Sequence, residues 1–481
     1  MDVVRVVRYN ETYDKIACDP GVAQEISDYF TFMVPGAKFM PAYKNKVWDG
    51  KIRIFNMLHA LLYCGLRPKL EEFCRERSYL IEYDFDTTHR EFSLVEGEEF
   101  ARGLGLTLSP RDYQMKAFVS GVREGRVLFL SPTASGKSLI IYLLTKYYNR
   151  KTLVVVPTVS LVHQMVSDFE SYSGKREDAH KIHAGQDRDS DSKIVVTTWQ
   201  SIYKQPRSWF DQFEVVIGDE AHLFKAKSMI SIMEKMSGCR YKFGFTGTLD
   251  GSQCHELILQ GLFGPVKRVT TTAELIEQKH LADFRVKSIV LTYPDDVKQS
   301  MAKASYQDEI DFLVRSEKRN KFLRNLALSL DGNTLLLFQY VEKHGKILND
   351  EISRAVTDGR RVFFVHGGVE GEDREEIRSI VEKESNAIIV ASYGTFSTGV
   401  NIKNLSSVIF ASPSKSRIRN LQSIGRSLRR SETKTAATLY DIADDLVWKK
   451  RKNYTLLHFL ERIKVYAEER FPYKIYRVGI E

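Results

Sequence analysis

The chain has 481 residues, enough for about three domains at roughly 150 residues each. With 43% hydrophobic and 28% charged residues, 12 Pro and 29 Gly, it has the composition of a packed globular protein. No apolar run reaches the roughly 18 residues that span a bilayer, and residues 1–10 lack the apolar core of a signal peptide, so no membrane partner is expected. The five cysteines are scattered with no C-x-x-C pair, which excludes a zinc or redox motif and reads as reduced, mostly buried thiols. The formal charge is +9, and its excess is C-terminal: residues 401–481 hold 17 Lys and Arg against 8 Asp and Glu, whereas residues 1–100 hold 13 against 17. A basic surface attracts polyanions by releasing their counterions, so nucleic acid is a candidate partner.

In chain order, the first feature is segment 38–55, KFMPAYKNKVWDGKIRIF, where Lys38, Lys44, Lys46, Lys51 and Arg53 interleave with Phe39, Tyr43, Trp48 and Phe55. Two readings stand. The aromatic residues form the core of a small domain with solvated lysines, or Lys44, Lys46 and Trp48 grip nucleic acid, the ring stacking on bases while the cations follow phosphates.

Segments 97–109 and 281–304 mix charge, Gly or Pro and weak periodicity, and mark the expected changes of domain. Between them, short β-branched runs at 126–130, 152–156, 194–198, 215–218 and 243–246 alternate with helix-length segments, the pattern of a parallel sheet buried on both faces. The rhythm returns at 334–338, 362–365, 387–391, 408–411 and 437–440. Segment 454–470 places Leu456, Leu457, Leu460, Ile463 and Val465 at mostly helical spacing, an amphipathic helix expected to pack by that stripe. The expected architecture is α/β: a small N-terminal α/β accessory domain (1–100) and two tandem parallel-sheet domains (101–282 and 283–481). No fixed-period repeat is present.

The strongest local signal is segment 127–143, VLFLSPTASGKSLIIYL, a strand that runs into a turn and then a helix. Backbone N–H groups of Thr133, Ala134, Ser135 and Gly136 would cradle a phosphate, Lys137 supplies a mobile cation, and the Ser138 hydroxyl can ligate Mg²⁺. Ser131 stands where the G-x-x-x-x-G-K-[ST] pattern has its first glycine. Asp219-Glu220-Ala221-His222 follows the strand at 215–218, where a P-loop ATPase holds its metal. Asp219 is assigned to the hydrated Mg²⁺, Glu220 to polarising the attacking water, and His222 to linking the ATP site with neighbouring loops.

Taken together, segment 109–430 resembles the superfamily-two helicases and translocases, with its motifs in the expected order. The resemblance implies two RecA-like domains with ATP between them and nucleic acid across both. Arg111 and Gln114 match the adenine-recognition motif. Thr158 and Gln200 lie in motifs that touch the nucleic-acid backbone, contacts that position without reading sequence. Thr246-Gly247-Thr248 matches the motif coupling ATP to the strand-binding surface, with Thr248 on nucleic acid.

YGTFSTGVN at 393–401 matches a motif reaching both ligands, with Tyr393 and Thr398 towards nucleic acid and Gly399 towards ATP; the family often has Asp where Asn401 stands. Gln422, Arg426 and Arg429 match Q-x-x-G-R-x-x-R, which contributes Gln422 to the nucleotide and Arg426 and Arg429 as arginine fingers to the γ-phosphate. Segments 38–55, 243–249 and 391–405 are similar to phage recombination and repair helicases. That likeness implies an ATP- and Mg²⁺-dependent DNA helicase acting on stalled forks, recombination junctions and R-loops, as a monomer in the cytoplasm of a bacterial host. Two alternatives remain open: an RNA helicase, since DEAH also occurs in RNA-directed relatives, and an ATP-gated clamp or annealing module.

Overall fold

The computed structural model describes residues 2–88, 90–183, 188–249, 252–369, 371–398, 402, 404–412 and 436–480. Contacts divide the chain into two compact units, Met1–Ser131 with Gly136–Thr270, and Pro132–Ser135 with Thr271–Glu481.

The first unit begins with strands β1 (Val3–Arg8), β2 (Tyr13–Ala17), β3 (Thr31–Met33), β4 (Lys51–Arg53), β5 (Leu61–Tyr63) and β6 (Leu80–Tyr83). They form a four-stranded sheet in the order β5-β2-β1-β6 and a β3-β4 ribbon. In β1, Val4 and Val6 are buried between exposed neighbours, the period of two expected of a strand with one covered face. Their face joins Ile16, Leu62, Leu70 and Phe73 in a core that continues without a break into Leu128, Val155 and Phe263 of the next sheet.

Polar contacts seal the same junction. Arg126 donates to the Glu11 carboxylate at 2.8 Å, Tyr13 and Tyr63 donate to Glu234 at 2.6 and 2.9 Å, and the buried Lys242 ammonium donates to Thr12 Oγ1 at 2.8 Å. Gly65 lies so close to the helix Gln253–Phe263 that a Cβ there would stand 2.0 Å from the Gln260 carbonyl oxygen. The N-terminal sheet is therefore built onto the larger one.

That larger sheet has seven parallel strands, β7 (Arg126–Leu130), β8 (Thr152–Val156), β9 (Ala179–Ile182), β10 (Ile194–Thr198), β11 (Val215–Asp219), β12 (Tyr241–Thr246) and β13 (Val266–Arg268), in the order β13-β7-β12-β11-β8-β10-β9. Strands β8, β10 and β11 are buried at every residue, which is why they read as continuous apolar runs. Because all seven run the same way, the carboxyl ends of β7, β12, β11 and β8 emerge side by side on one edge, where open α/β sheets bind ligands.

The second unit repeats the plan with β14 (Asp283–Thr292), β15 (Asn333–Phe338), β16 (Val362–Val365), β17 (Ile388–Ser392), β18 (Leu405–Phe410), β19 (Ala436–Asp445) and β20 (Tyr473–Gly479), parallel in the order β16-β17-β15-β18-β19-β14-β20. The fold is the expected one: two parallel-sheet domains and a small N-terminal α/β region.

Segment 281–304 carries β14, a ten-residue interior strand that begins at Asp283 and whose first half alternates exposed and buried residues. The closing helix, Tyr454–Glu468, packs by part of the stripe read from sequence: Val465 is buried and Leu456 and Ile463 pack against Val290, Ala443 and Phe459, whereas Leu457 and Leu460 are exposed and Thr455, Arg462 and Tyr466 also face inward. The reason is an ion pair inside the core, Arg462 to Asp441 at 2.8 Å, with Tyr466 also donating to Asp441. A second fully buried pair, Arg319 with Asp444 at 2.9 Å, anchors the neighbouring end of β19, and Tyr293 donates to the same carboxylate.

Candidate active site

The turn after β7 ends in the helix Lys137–Tyr148, whose Leu139–Leu144 stretch is wholly buried and so fixes the helix against the sheet. Ala134 at φ 67° and Gly136 at φ 78° both take left-handed backbone. At Gly136 the glycine is required twice, since a Cβ would also stand 2.3 Å from Gln114 Nε2. Ser131 is fully buried and its N–H donates to the Thr246 carbonyl at 2.8 Å, so the start of the turn is tied to the end of β12 without a glycine there. Ser135 Oγ donates to the Pro132 carbonyl at 2.7 Å and closes the turn on itself. Thr133 lies in the same turn.

Lys137 Nζ lies 3.3 Å from Glu220 Oε1 and 3.9 Å from Asp219 Oδ1, so the cation read from the turn meets both carboxylates read from the end of β11. Asp219 is nearly buried, and burial raises its pKa to about 6, with Glu220 adding to the rise and Lys137 opposing it. Glu220 sits at φ 50°, a left-handed conformation uncommon for a non-glycine residue, and its N–H donates to Asp219 Oδ1 at 2.9 Å.

The carboxylates connect onward. His222 Nδ1 lies 3.4 Å from Glu220 Oε2 and 3.0 Å from Thr246 Oγ1. Thr246 gives its one hydroxyl proton to the Thr248 carbonyl at 2.9 Å, so the imidazole is the donor to Thr246. A continuous polar line thus runs Lys137–Glu220–His222–Thr246–Thr248, and His222 links the ATP motif to the neighbouring loop.

The donor set fits a divalent cation such as Mg²⁺. Asp219, and Ser138 Oγ at the start of the adjacent helix, would offer oxygen ligands to a hard cation. Among the described residues there is no cluster of three or more His, Cys, Asp or Glu that would hold a metal by themselves. A cation here therefore takes its remaining oxygens from phosphate and water. Ser138 Oγ is hydrogen-bonded to the Tyr172 hydroxyl at 2.6 Å, a partner that no sequence motif indicates.

Gln114 is buried rather than open to a base. Its Oε1 accepts from the Arg111 N–H at 2.8 Å and its Nε2 donates to the Gly136 carbonyl at 3.3 Å, so it braces the phosphate turn. Arg111 donates to the Tyr113 hydroxyl at 2.7 Å.

Of the nucleic-acid candidates, Gln200 is exposed after β10. Thr158 caps the helix Val159–Ser173, its hydroxyl accepting from Leu161 N–H. Thr248 follows β12 with its hydroxyl buried and without a partner. Lys44 and Lys46 are exposed, Phe39 more so at 69%, while Trp48 is half-buried and donates to the Lys51 carbonyl. Phe55 is core.

Tyr393 is not at the surface: it is buried and its hydroxyl donates to the Ser412 carbonyl at 3.0 Å. Thr398 ends the helix Tyr393–Thr398. Gly399, Gln422, Arg426 and Arg429 lie outside the described residues. Cys64, Cys74 and Cys239 are buried free thiols and Cys18 is a partly buried one, and among the described residues no helix is long and apolar enough to cross a membrane.

Three family profiles match: the N-terminal domain of the DNA helicase UvsW at residues 4–84, the type III restriction enzyme res subunit at 107–251, and the helicase conserved C-terminal domain at 317–431. The ATP-dependent DNA helicase uvsW of Enterobacteria phage T4 is 34% identical, with 99% of this chain and 100% of that protein aligned. The DNA 3'-5' translocase XPB2 of Sulfurisphaera tokodaii is 24% identical over 67% of this chain and 79% of its own. The crystal structure of T4 UvsW superposes with a TM-score of 0.53 at 33% identity, covering both chains in full. With the polar line from Lys137 to Thr248 in place, these likenesses assign the chain to the UvsW family of superfamily-two helicases, enzymes that drive DNA unwinding with ATP.

Proposed function

We propose that this helicase works on branched DNA, unwinding or branch-migrating stalled forks, recombination junctions and R-loops in recombination, repair and replication. It would do so as a monomer in a bacterial host's cytoplasm, since one chain carries the whole motif set. The observation that carries the reading is the line from Lys137 through Glu220, His222 and Thr246 to Thr248. It joins a phosphate turn to a loop that the family pattern places on nucleic acid. Exposed Lys44 and Lys46 add basic charge in the N-terminal region, and a second contact region suits a substrate with more than one arm.

In the mechanism, Lys137 neutralises the terminal phosphates and the N–H groups of the turn hold them, with Gln114 bracing Gly136 from behind. Ser138 and Asp219 would hold Mg²⁺, which supplies charge neutralisation to the phosphoryl group. Glu220 orients and polarises the attacking water, and nucleotide binding releases it from Lys137. Arg426 and Arg429 stabilise the transition-state charge, as the family pattern implies.

The test is a set of strand-displacement reactions on a fork, a four-way junction, an R-loop and a plain duplex with a single-stranded tail. Preference for the branched substrates is expected. Equal or better unwinding of the tailed duplex overturns the branched-DNA reading, and action on RNA duplexes alone would reassign the enzyme.

A further inference from the structure

The hydroxyl of Ser138 has one partner that the motif does not account for. Tyr172 is the penultimate residue of the helix Val159–Ser173, and its OH lies 2.6 Å from Ser138 Oγ, at the short end for two hydroxyls. The phenol is held in place. Its ring packs edge-on against Tyr142 at 5.8 Å, its carbonyl accepts from Thr107 N–H at 2.9 Å, and Thr107 Oγ1 donates to the adjacent Ser171 carbonyl at 2.6 Å.

A serine that gives a lone pair to a cation needs an acceptor for its own proton, or its hydroxyl swings freely between staggered positions. Either hydroxyl can donate in this bond, and with Ser138 donating Tyr172 OH is that acceptor.

The other end of the same helix is Thr158, its N-cap and a candidate nucleic-acid contact. Fifteen residues at 1.5 Å each make a rod of about 22 Å between the two ends.

We infer that Tyr172 is a positioning residue for the metal-ligating hydroxyl of Ser138, and that the helix Val159–Ser173 links nucleic-acid contact at Thr158 to metal affinity at Ser138. This rests on the reading of Ser138 as a Mg²⁺ ligand. It adds a second route between the ligands, independent of the line through His222 and Thr246.

The test is Tyr172→Phe in the full-length protein, which keeps the ring and removes one oxygen. Mn²⁺ is titrated into protein and a non-hydrolysable ATP analogue, free ion is read by electron paramagnetic resonance, and the titration is repeated with single-stranded DNA. The wild type is expected to bind the ion more tightly with DNA present. Tyr172→Phe should need about tenfold more Mn²⁺ and show no DNA effect. Adding Tyr172→Phe to Ser138→Ala should change nothing further, because both remove the same bond. A wild-type protein that binds the analogue without regard to the ion overturns the Mg²⁺ reading and this inference with it. Ordinary metal dependence in the wild type, matched by Tyr172→Phe with and without DNA, overturns the Tyr172 inference alone.

Discussion

Glu220 accepts from Lys137 Nζ at 3.3 Å while its own backbone is held at φ 50°, so the residue assigned to the attacking water is paired with the cation assigned to phosphate. On the proposed mechanism, phosphate would give Lys137 a stronger partner and free the carboxylate for water. Glu220→Gln keeps the shape and removes the base; it should lower ATP turnover by about 100-fold or more and leave nucleotide binding intact. Turnover and fluorescent-nucleotide binding measured side by side check this.

Thr246→Val removes the hydroxyl that joins His222 to the Thr248 carbonyl. The expected result is an ATPase with unchanged nucleotide affinity whose stimulation by DNA falls several-fold. Comparing stimulated and unstimulated rates for the two proteins decides it.

Lys242 is fully buried between the N-terminal sheet and the larger one, and burial lowers its pKa from the usual 10.5 to about 7, with Arg126 adding to the fall. The unfolded chain then binds this proton between pH 7 and 10.5 while the folded one does not, so stability rises with pH across that window. Between pH 7 and 9 Lys242 should contribute about 2 kcal/mol of that rise, partly offset above about pH 8 by Cys64 and Cys239, whose thiols burial keeps protonated in the fold while the unfolded ones titrate. Lys242→Met should flatten the dependence and raise the Tm at pH 7, as thermal melts at pH 7, 8 and 9 would register.

Arg319→Ala leaves the Asp444 carboxylate buried without its partner, at a cost of about 3–5 kcal/mol. Arg477→Ala breaks a pair whose arginine is 69% exposed and should change stability by under about 1 kcal/mol. Urea unfolding of the two variants gives the contrast.

What the sequence made legible is what burial makes repetitive. Strands such as β8 and β11 are apolar at nearly every position because both faces are covered, and the turn before Lys137 and the carboxylates after β11 are fixed by the chemistry they serve. Part of the closing helix's inward surface was hidden because it is charged: Arg462 is a core residue only through Asp441 on β19, as Arg319 on the helix Glu317–Ser329 is only through Asp444. Gln114 and Tyr393, expected on ligands, also make hydrogen bonds inside the fold that the sequence did not indicate. Tyr172 carries no motif, since only the packing of one helix on the next brings it to Ser138.

The most direct measurement is steady-state ATP hydrolysis without nucleic acid and then with single-stranded DNA, a fork, a four-way junction and RNA, with Glu220→Gln as control. Strong stimulation by the fork and junction, abolished in Glu220→Gln, is the expected result. A rate indifferent to every DNA, or one that survives Glu220→Gln, would contradict a Lys137–Glu220 site that couples ATP to branched DNA.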